Sequence, residues 1–479
     1  MGNAEVTILG AGPAALAATA ELISHRIPVT IIDENQLPGG QYFRQIPKSF
    51  RITERTVFDK ASSDYSRSTS LFQTLNHPLV TYMPNSVIWG YFSDYNLGYV
   101  SADGSGEVSA KFIIVASGAF DRPVPFPGWT LPGVISAGGA QNLMLGQRVV
   151  PGNRILISGN GPLNIAVGYN LTRAGGNVLS ILEVSKQQIW RAFPGVLLDP
   201  LVLFKGLRYQ AGLLLRAGVL ARTGRTVIEA RGDKQVSEVV TARIDSMGNI
   251  DGAHTQTYGV DLLVVGYGLM PSIEMIRLMG CEQEYDPSNK YFIPVRSDQF
   301  ETTVPNVFSI GDCAGIRGVE VALIEGRLAG ITIADRLGRL SHTYVKKSRS
   351  QLEKRLHRLL RFHASIDLLF ASPSNYLSLL TDDTVICRCE EVTLGELRLY
   401  MNQGITDLNT LKSLTRIGMG RCQGRNCFPT FAHLVAEEQK VSVASLKIPR
   451  TRSPLKPICI GDVIRCELPE CSLPEMKQP

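Results

Sequence analysis

The strongest constraint on this chain is a β-turn-α-β signature over residues 6–34, repeated from residue 154. Val6-Thr7-Ile8-Leu9 reads as a buried strand and Gly10-Ala11-Gly12-Pro13-Ala14-Ala15 as a G-x-G-x-x-A turn. Ala14 to Ser24 reads as a small-residue helix, and Val29 to Ile32 as a second strand ending in Asp33-Glu34. Gly10 permits the tight turn, Gly12 lets a pyrophosphate approach the backbone, and Ala15 keeps helix and strand close. The helix N-terminus that begins at Pro13 and Ala14 favours an anionic pyrophosphate. Glu34, 24 residues after Gly10, is placed to accept a hydrogen bond from a ribose hydroxyl. Strand, turn, helix, strand and acid in that order imply a bound dinucleotide, against the alternative of a structural glycine turn.

A chain of 479 residues has room for two or three domains. Hydrophobic content of 44% with 45 glycines fits a globular α/β protein. The formal charge of +6 is small for this length and does not support a nucleic-acid binder. No run of 18 apolar residues is present, so no membrane-spanning helix is expected. The first strand begins almost at once, without the basic start of a signal peptide. A cytoplasmic location follows as the expectation, with peripheral attachment at the inner membrane through a complex as its variant. In a reducing cytosol, clustered cysteines point to metal or redox chemistry over disulfides.

The second signature runs from strand Arg154–Ser158 into Gly159-Asn160-Gly161-Pro162-Leu163-Asn164, a helix, and the strand Asn177–Leu182 ending at Glu183. Asn164 stands where Gly or Ala is expected, adding bulk at the helix–strand contact. Glu183 is the ribose partner if NAD binds, and its charge opposes a 2′-phosphate. NAD, another nucleotide, or a purely structural role all remain open for this site.

Three further segments bear on the first site. Pro38-Gly39-Gly40-Gln41 is a glycine-rich loop able to pass close to a flavin, and Phe112 to Ala116 is a strand ending in Ser117-Gly118-Ala119. Thr302 to Asp312 reads T-T-V-P-N-V-F-S-I-G-D before a helical run. This resembles the second FAD motif of two-dinucleotide-domain flavoproteins, and the resemblance implies that Gly311 and Asp312 contact the ribityl and phosphate region of FAD. No cysteine precedes Cys281, so the redox dithiol of disulfide-reductase flavoproteins is missing beside the flavin.

Cys387, Cys389, Cys422 and Cys427 read C-x-C, 32 residues, C-x4-C. Helical stretches at 394–402, 406–415 and 429–438 lie between and after the pairs, and their packing brings four thiolates together. Backbone N–H groups around Gly418, Gly420 and Gly424 are placed to bond a cluster's anionic sulfurs. The spacing is similar to the bacterioferritin-associated-ferredoxin-like (BFD-like) [2Fe-2S] domain; structural zinc is the alternative, since four thiolates also suit it. Arg388, Arg421 and Arg425 surround the cysteines as solvated surface, as tuners of a cluster, or as a dock for an acidic partner. Cys281 and Cys313 read as core residues, and Cys459, Cys466 and Cys471 have no metal-site spacing.

The expected fold class is α/β. Two Rossmann-like domains, FAD-binding at 1–120 with 300–340 and NAD-like at 121–299, have the second inserted in the first. A basic helical linker follows at 341–382, a helical [2Fe-2S] domain at 383–440, and an extended tail at 441–479. Leu352, Leu356, Leu359 and Leu360 recur at helical spacing in the linker, with a helix packed on its own protein and a partner interface as the two main readings. Residues 59–78 are polar and helix-like.

This order of motifs resembles the large A (α) subunits of heteromeric bacterial opine oxidases and amino-acid dehydrogenases, a group that includes the B subunit of hydrogen cyanide synthase. Gly418-Met419-Gly420-Arg421-Cys422-Gln423-Gly424-Arg425 is the most specific piece. The resemblance implies an FAD- and [2Fe-2S]-dependent oxidoreductase acting on CH–NH donors. Its substrate would be oxidised in an amino-acid-oxidase-like FAD subunit; a further candidate partner is a small ferredoxin-like subunit. The chain would relay electrons to an acceptor. No His/Glu/Arg constellation makes an amine-oxidising site here; Arg44, beside Gly39-Gly40, is the single candidate near the flavin. A self-sufficient NAD(P)H-dependent reductase and a non-catalytic scaffold are the alternatives.

Overall fold

The structure, a computed structural model, describes residues 4–47, 49–50, 65–185, 195, 197–198, 200–245, 248–370 and 376–464. Cys466 and Cys471, the tail from residue 465, and residues 59–64 and 371–375 lie outside the described residues.

The apolar runs become the centre of a seven-stranded sheet. Its order is Val80–Met83, Val29–Ile32, Ala4–Leu9, Gly104–Val115, Asn96–Ser101 and Val87–Phe92, with Val307–Ser309 also paired to Gly104–Val115. Ala4–Leu9 pairs parallel on both sides, Val6 opposite Val29 and Phe112. A strand buried on both faces needs a nearly continuous apolar run, and Val6, Ile8 and Leu9 supply it. The helix Pro13–Ser24 lies on this sheet, packed against the helix Gly318–Arg336. A Cβ at Gly326 would stand 2.1 Å from the Ala14 carbonyl oxygen, so this crossing requires glycine. It sets the helix that follows Gly311-Asp312 directly beside the helix that follows Gly12.

Between Gly104–Val115 and Val307–Ser309, both in the first sheet, the chain builds a second one. Its order is Ala221–Thr223, Asn177–Glu183, Arg154–Gly159, Leu262–Gly266 and Val134–Ser136, all parallel. The second Rossmann-like fold is therefore inserted in the first. The antiparallel strands Arg225–Arg231, Glu238–Ile244 and Ile250–Gly259 accompany it.

The helix His342–Leu369 buries Leu352, Leu356, Leu359 and Phe362, a stripe at helical spacing. Leu352, Leu356 and Leu359 join the core of the first Rossmann fold. Arg349 donates to Thr332 Oγ1 at 2.8 Å and Arg355 pairs with Glu320 at 2.8 Å, so the helix is tied to its own protein. Residues from 385 form a short hairpin and three helices, Leu394–Met401, Leu408–Thr415 and Phe428–Gln439, around Ile386, Leu397, Leu411, Phe431 and Val435. Thr393 and Glu396 form a capping box on the first of these. No helix among the described residues is long and apolar enough to cross a membrane.

Candidate functional site: two glycine loops and a cysteine quartet

The first glycine loop lies at the carboxyl ends of its strands, where α/β sheets bind ligands. Gly10 has φ 103°, and a Cβ there would stand 2.6 Å from the Ala116 carbonyl oxygen. Gly12 faces open space, with nothing within 4 Å of an added Cβ, and caps the helix that Pro13 begins. Gly39 N–H donates to the Ala11 carbonyl at 2.8 Å. Gly40 has φ 59° and approaches Gly12 so closely that its Cβ would lie 3.1 Å from the Gly12 Cα. Two segments far apart in the first domain thus bring bare backbone to one place.

Asp33 lies beneath this loop, one residue before Glu34, the acid expected to meet a ribose. The Gly10 N–H bonds the Ile32 carbonyl, which sets Asp33 directly under the loop, where its carboxylate accepts from Ala11 N–H. Glu34, one residue on, points the other way, is half exposed and pairs with Lys456 of the tail. Alternation along an extended segment sends these neighbouring acids to opposite sides.

Gly118, with φ 69°, has open space around it. Gly311 N–H donates to Glu325 at 2.7 Å, and Arg296 pairs with Glu325 at 2.7 Å, so a buried ion pair holds the Gly311-Asp312 turn. Asp312 accepts from Arg317 and Gly318 N–H, both at 3.2 Å, and burial pushes its carboxyl up. Gln41 accepts from Arg44 at 2.8 Å. Burial lowers the Arg44 guanidinium, opposed by Asp33, and its Nε is buried with no hydrogen-bond partner. An unpartnered buried donor beside a bare glycine loop fits an anionic group such as a pyrophosphate.

The second loop also has open space at Gly161, and side chains of the chain itself brace the turn around it. Gly159 and Gly161 have φ 153° and 109°, and a Cβ on Gly159 would stand 2.0 Å from the Gly266 carbonyl oxygen. Asn164, 1% exposed, donates through Nδ2 to that same carbonyl at 2.8 Å. Asn160 bonds the Phe370 carbonyl at the end of the basic helix. Glu183 is buried and uses both oxygens: Gly161 N–H reaches one at 3.0 Å, while Ser185 N–H and hydroxyl reach the other at 3.1 and 2.8 Å. Burial raises its carboxyl.

The four cysteines meet as two pairs, Cys387 with Cys427 and Cys389 with Cys422. Cys387 and Cys427 are buried, whereas Cys389 and Cys422 are partly exposed. A hydrogen bond from the Cys427 thiol, joined by the N–H groups of Gly418, Glu390 and Cys389, pulls the Cys387 thiol down to about 5. Cys427 is held protonated in return. Gly418 and Gly424, at φ 77° and 82°, turn the backbone around them, and a Cβ on Gly420 would stand 2.3 Å from that of Cys389. No three His, Cys, Asp or Glu side chains converge on one metal position among the described residues. Four thiols with backbone donors around them nonetheless provide the donor set of a [2Fe-2S] centre. Cys281 and Cys313 are buried; Cys281 bonds Thr302, and Cys313 bonds the Val115 and Ile310 carbonyls.

Residues 4–334 match the family model for pyridine nucleotide-disulphide oxidoreductases, and residues 385–437 match the BFD-like [2Fe-2S] binding domain. The chain belongs to the pyridine nucleotide-disulphide oxidoreductase family. It is 30% identical over 471 residues to the A subunit of opine oxidase from Rhizobium meliloti, covering 96% of this chain and 87% of that one. It is 32% identical over 432 residues to hydrogen cyanide synthase subunit HcnB of Pseudomonas protegens, covering 88% and 89%. The solved L-proline dehydrogenase from P. horikoshii shares the fold, with a TM-score of 0.70 at 21% identity over 96% of this chain and 79% of that one. FAD and a [2Fe-2S] cluster are therefore the cofactors of this oxidoreductase subunit. This family member lacks the dithiol of the family's name beside its flavin loops.

Proposed function

We propose that this chain is the electron-transfer subunit of a heteromeric opine or amino-acid dehydrogenase. An amino-acid-oxidase-like FAD subunit oxidises a CH–NH donor; a further candidate member of the complex is a small ferredoxin-like subunit. This chain passes the electrons to an acceptor, in the cytoplasm or at the inner membrane through the complex. The observation that carries the reading is the presence of three sites in one chain: a first glycine loop with Ala15 at its third position, a second one braced by Asn164 and Asn160, and a cysteine quartet. The names of the relatives, the opine oxidase A subunit and hydrogen cyanide synthase subunit HcnB, support the substrate class.

In this reading FAD supplies two-electron chemistry at the first site and the cluster supplies one-electron steps. Gly10, Gly12, Pro13, Ala14 and Ala15 present backbone to the pyrophosphate, Asp33 faces the ribose, and Gly40, Gln41 and Gly118 border the flavin. Gly311 and Asp312 hold the ribityl side. Cys387, Cys389, Cys422 and Cys427 ligate the cluster. Residues 1–120 with 300–340 form the flavin module, 121–299 the second nucleotide fold and 383–440 the cluster module, with 341–382 as linker and 441–479 as tail. Gly159, Gly161 and Glu183 keep the second fold in shape without a nicotinamide.

The test is anaerobic mixing of the loaded complex with NADH, and separately with a panel of opines and amino acids. Reduction of the flavin by one of the panel, and none on the same timescale by NADH, is the expected result. Fast bleaching by NADH would overturn the reading in favour of a self-sufficient reductase.

A further inference from the structure

Both cysteine segments are fastened to the flavoprotein half by an arginine seated on an aromatic ring. Arg388, between Cys387 and Cys389, lies over the Trp129 ring at 5.2 Å, and Trp129 Nε1 donates to the Val385 carbonyl at 2.7 Å. Arg425, between Cys422 and Cys427, lies over the Phe120 ring at 5.2 Å and pairs with Glu274 at 2.8 Å. Phe120 follows directly on the Ser117-Gly118-Ala119 turn, which borders the flavin in the proposed function. Glu274 is tied to the same turn: it accepts from Ser272 Oγ at 3.0 Å, Ser272 N–H donates to the Gly118 carbonyl at 2.9 Å, and Ser117 Oγ donates to the Ser272 carbonyl at 2.7 Å. One continuous set of short contacts therefore runs from the flavin-side turn through Phe120, Ser272 and Glu274 to the arginine two residues before Cys427. Guanidinium suits this junction because it can stack on a ring and bond a carboxylate at once.

We propose that Arg425, with Glu274 and Phe120, is a positioning junction that fixes the cluster site against the flavin turn, and that electrons cross within this chain at that junction. Arg388 on Trp129 is the second fastening point. The proposal rests on the reading of the chain as an electron carrier and adds its route. Cys387, Cys389, Cys422 and Cys427 would hold the cluster, which would supply one-electron steps, and the Ser117-Gly118-Ala119 turn would border the flavin, which would supply two-electron chemistry; Arg425, Glu274 and Phe120 hold the two sites in fixed relation.

The experiment uses the full chain carrying both cofactors, with the flavin photoreduced in the absence of any partner or substrate. The rate at which the visible band of the cluster bleaches is followed, beside hydrogen exchange across residues 418–428. Arg425→Ala is expected to keep flavin and iron content, to speed exchange in that segment, and to slow flavin-to-cluster transfer about tenfold, equivalent to ~1.4 kcal/mol of activation free energy. Arg425→Lys, which keeps the charge but loses the fork, should fall between the two. Glu274→Gln lies outside the cluster module and must also slow transfer with iron content intact; it decides the matter if Arg425→Ala loses its cluster. Unchanged transfer in Glu274→Gln would overturn the proposal. Photoreduction separates this result from the wider reading, which fails on its own if no amine substrate and partner reduce the chain.

Discussion

The two glycine loops share one scaffold and differ in the side chains that brace them. At the first, the third position of the turn is Ala15, the neighbouring loop brings Gly39 and Gly40, and Asp33 accepts from Ala11 N–H with one oxygen and from Asn35 with the other. At the second, the third position is Asn164, whose amide bonds the Gly266 carbonyl, and Asn160 is bonded by the end of the basic helix. Glu183 has both oxygens engaged by Gly161 and Ser185. The same β-turn-α-β unit is therefore braced by backbone in one place and forms a corner braced by two asparagine amides in the other, a difference the glycines alone do not show.

The largest expected effect comes from giving one glycine of each loop a methyl group. Gly10→Ala places Cβ 2.6 Å from a backbone oxygen at a φ of 103°. Backbone strain of ~1–2 kcal/mol and overpacking of ~1–3 kcal/mol add there. The variant should lose most of its bound FAD, read as flavin absorbance per chain after desalting. Gly161→Ala meets nothing within 4 Å, so only strain at its φ of 109° applies. It should cost ~1–2 kcal/mol in denaturant unfolding and leave FAD content unchanged. Equal FAD loss in both would erase the distinction between the loops.

Next in size is Asn164→Ala. It removes the 2.8 Å bond to Gly266, whose carbonyl keeps a second donor in the Asn160 N–H at 2.7 Å, so a loss of ~1 kcal/mol is expected. Flavin reduction by NADH should remain slow in this variant. If emptying the corner turned on rapid NADH oxidation, Asn164 would be a gate on a working nicotinamide site.

Much of this was legible in the chain before folding. The turn residues Gly10, Gly12, Gly159 and Gly161 carry a mechanism in their spacing, and the insertion of one Rossmann fold in the other follows from the order of motifs. Asn164 was visible as a misfit, but its bond to Gly266, about a hundred residues on, was not. Asp33 and Glu34 are adjacent, and only the strand register tells that Asp33 is the one bonded to the loop. Arg388 and Arg425 read as three-way ambiguities because Trp129, Phe120 and Glu274 are far away in sequence. Nothing in the tail's composition marks Lys456, which reaches Glu34 because Leu455 N–H is held by the Trp89 carbonyl at 2.9 Å.

That tail contact belongs to the first loop alone, and it supplies the third prediction. Lys456→Ala removes a cation from beside the Asp33-Glu34 pair. Partly exposed ion pairs contribute ~0.2–1 kcal/mol, so FAD affinity should change by about fivefold or less in a fluorescence titration. A complete loss of FAD would make the tail an essential wall of the site.

The smallest effect is a pH dependence at the second loop. Burial raises the folded Glu183 carboxyl above the ordinary value of 4.5 that it takes in the unfolded chain. As pH climbs past that value the unfolded chain releases this proton first, so the folded state binds more protons and stability falls until the folded group also ionises. Acidification back through the same window restores it. Glu183→Gln has no proton to release there, although it exchanges one of the two acceptors facing Gly161 and Ser185 for a donor at a cost of ~1 kcal/mol. The stability of wild type relative to the variant should therefore decline as pH rises from just above 4.5, in urea unfolding at several pH values. A parallel pair of curves would mean that Glu183 is not desolvated, and that the second loop is as open as the first.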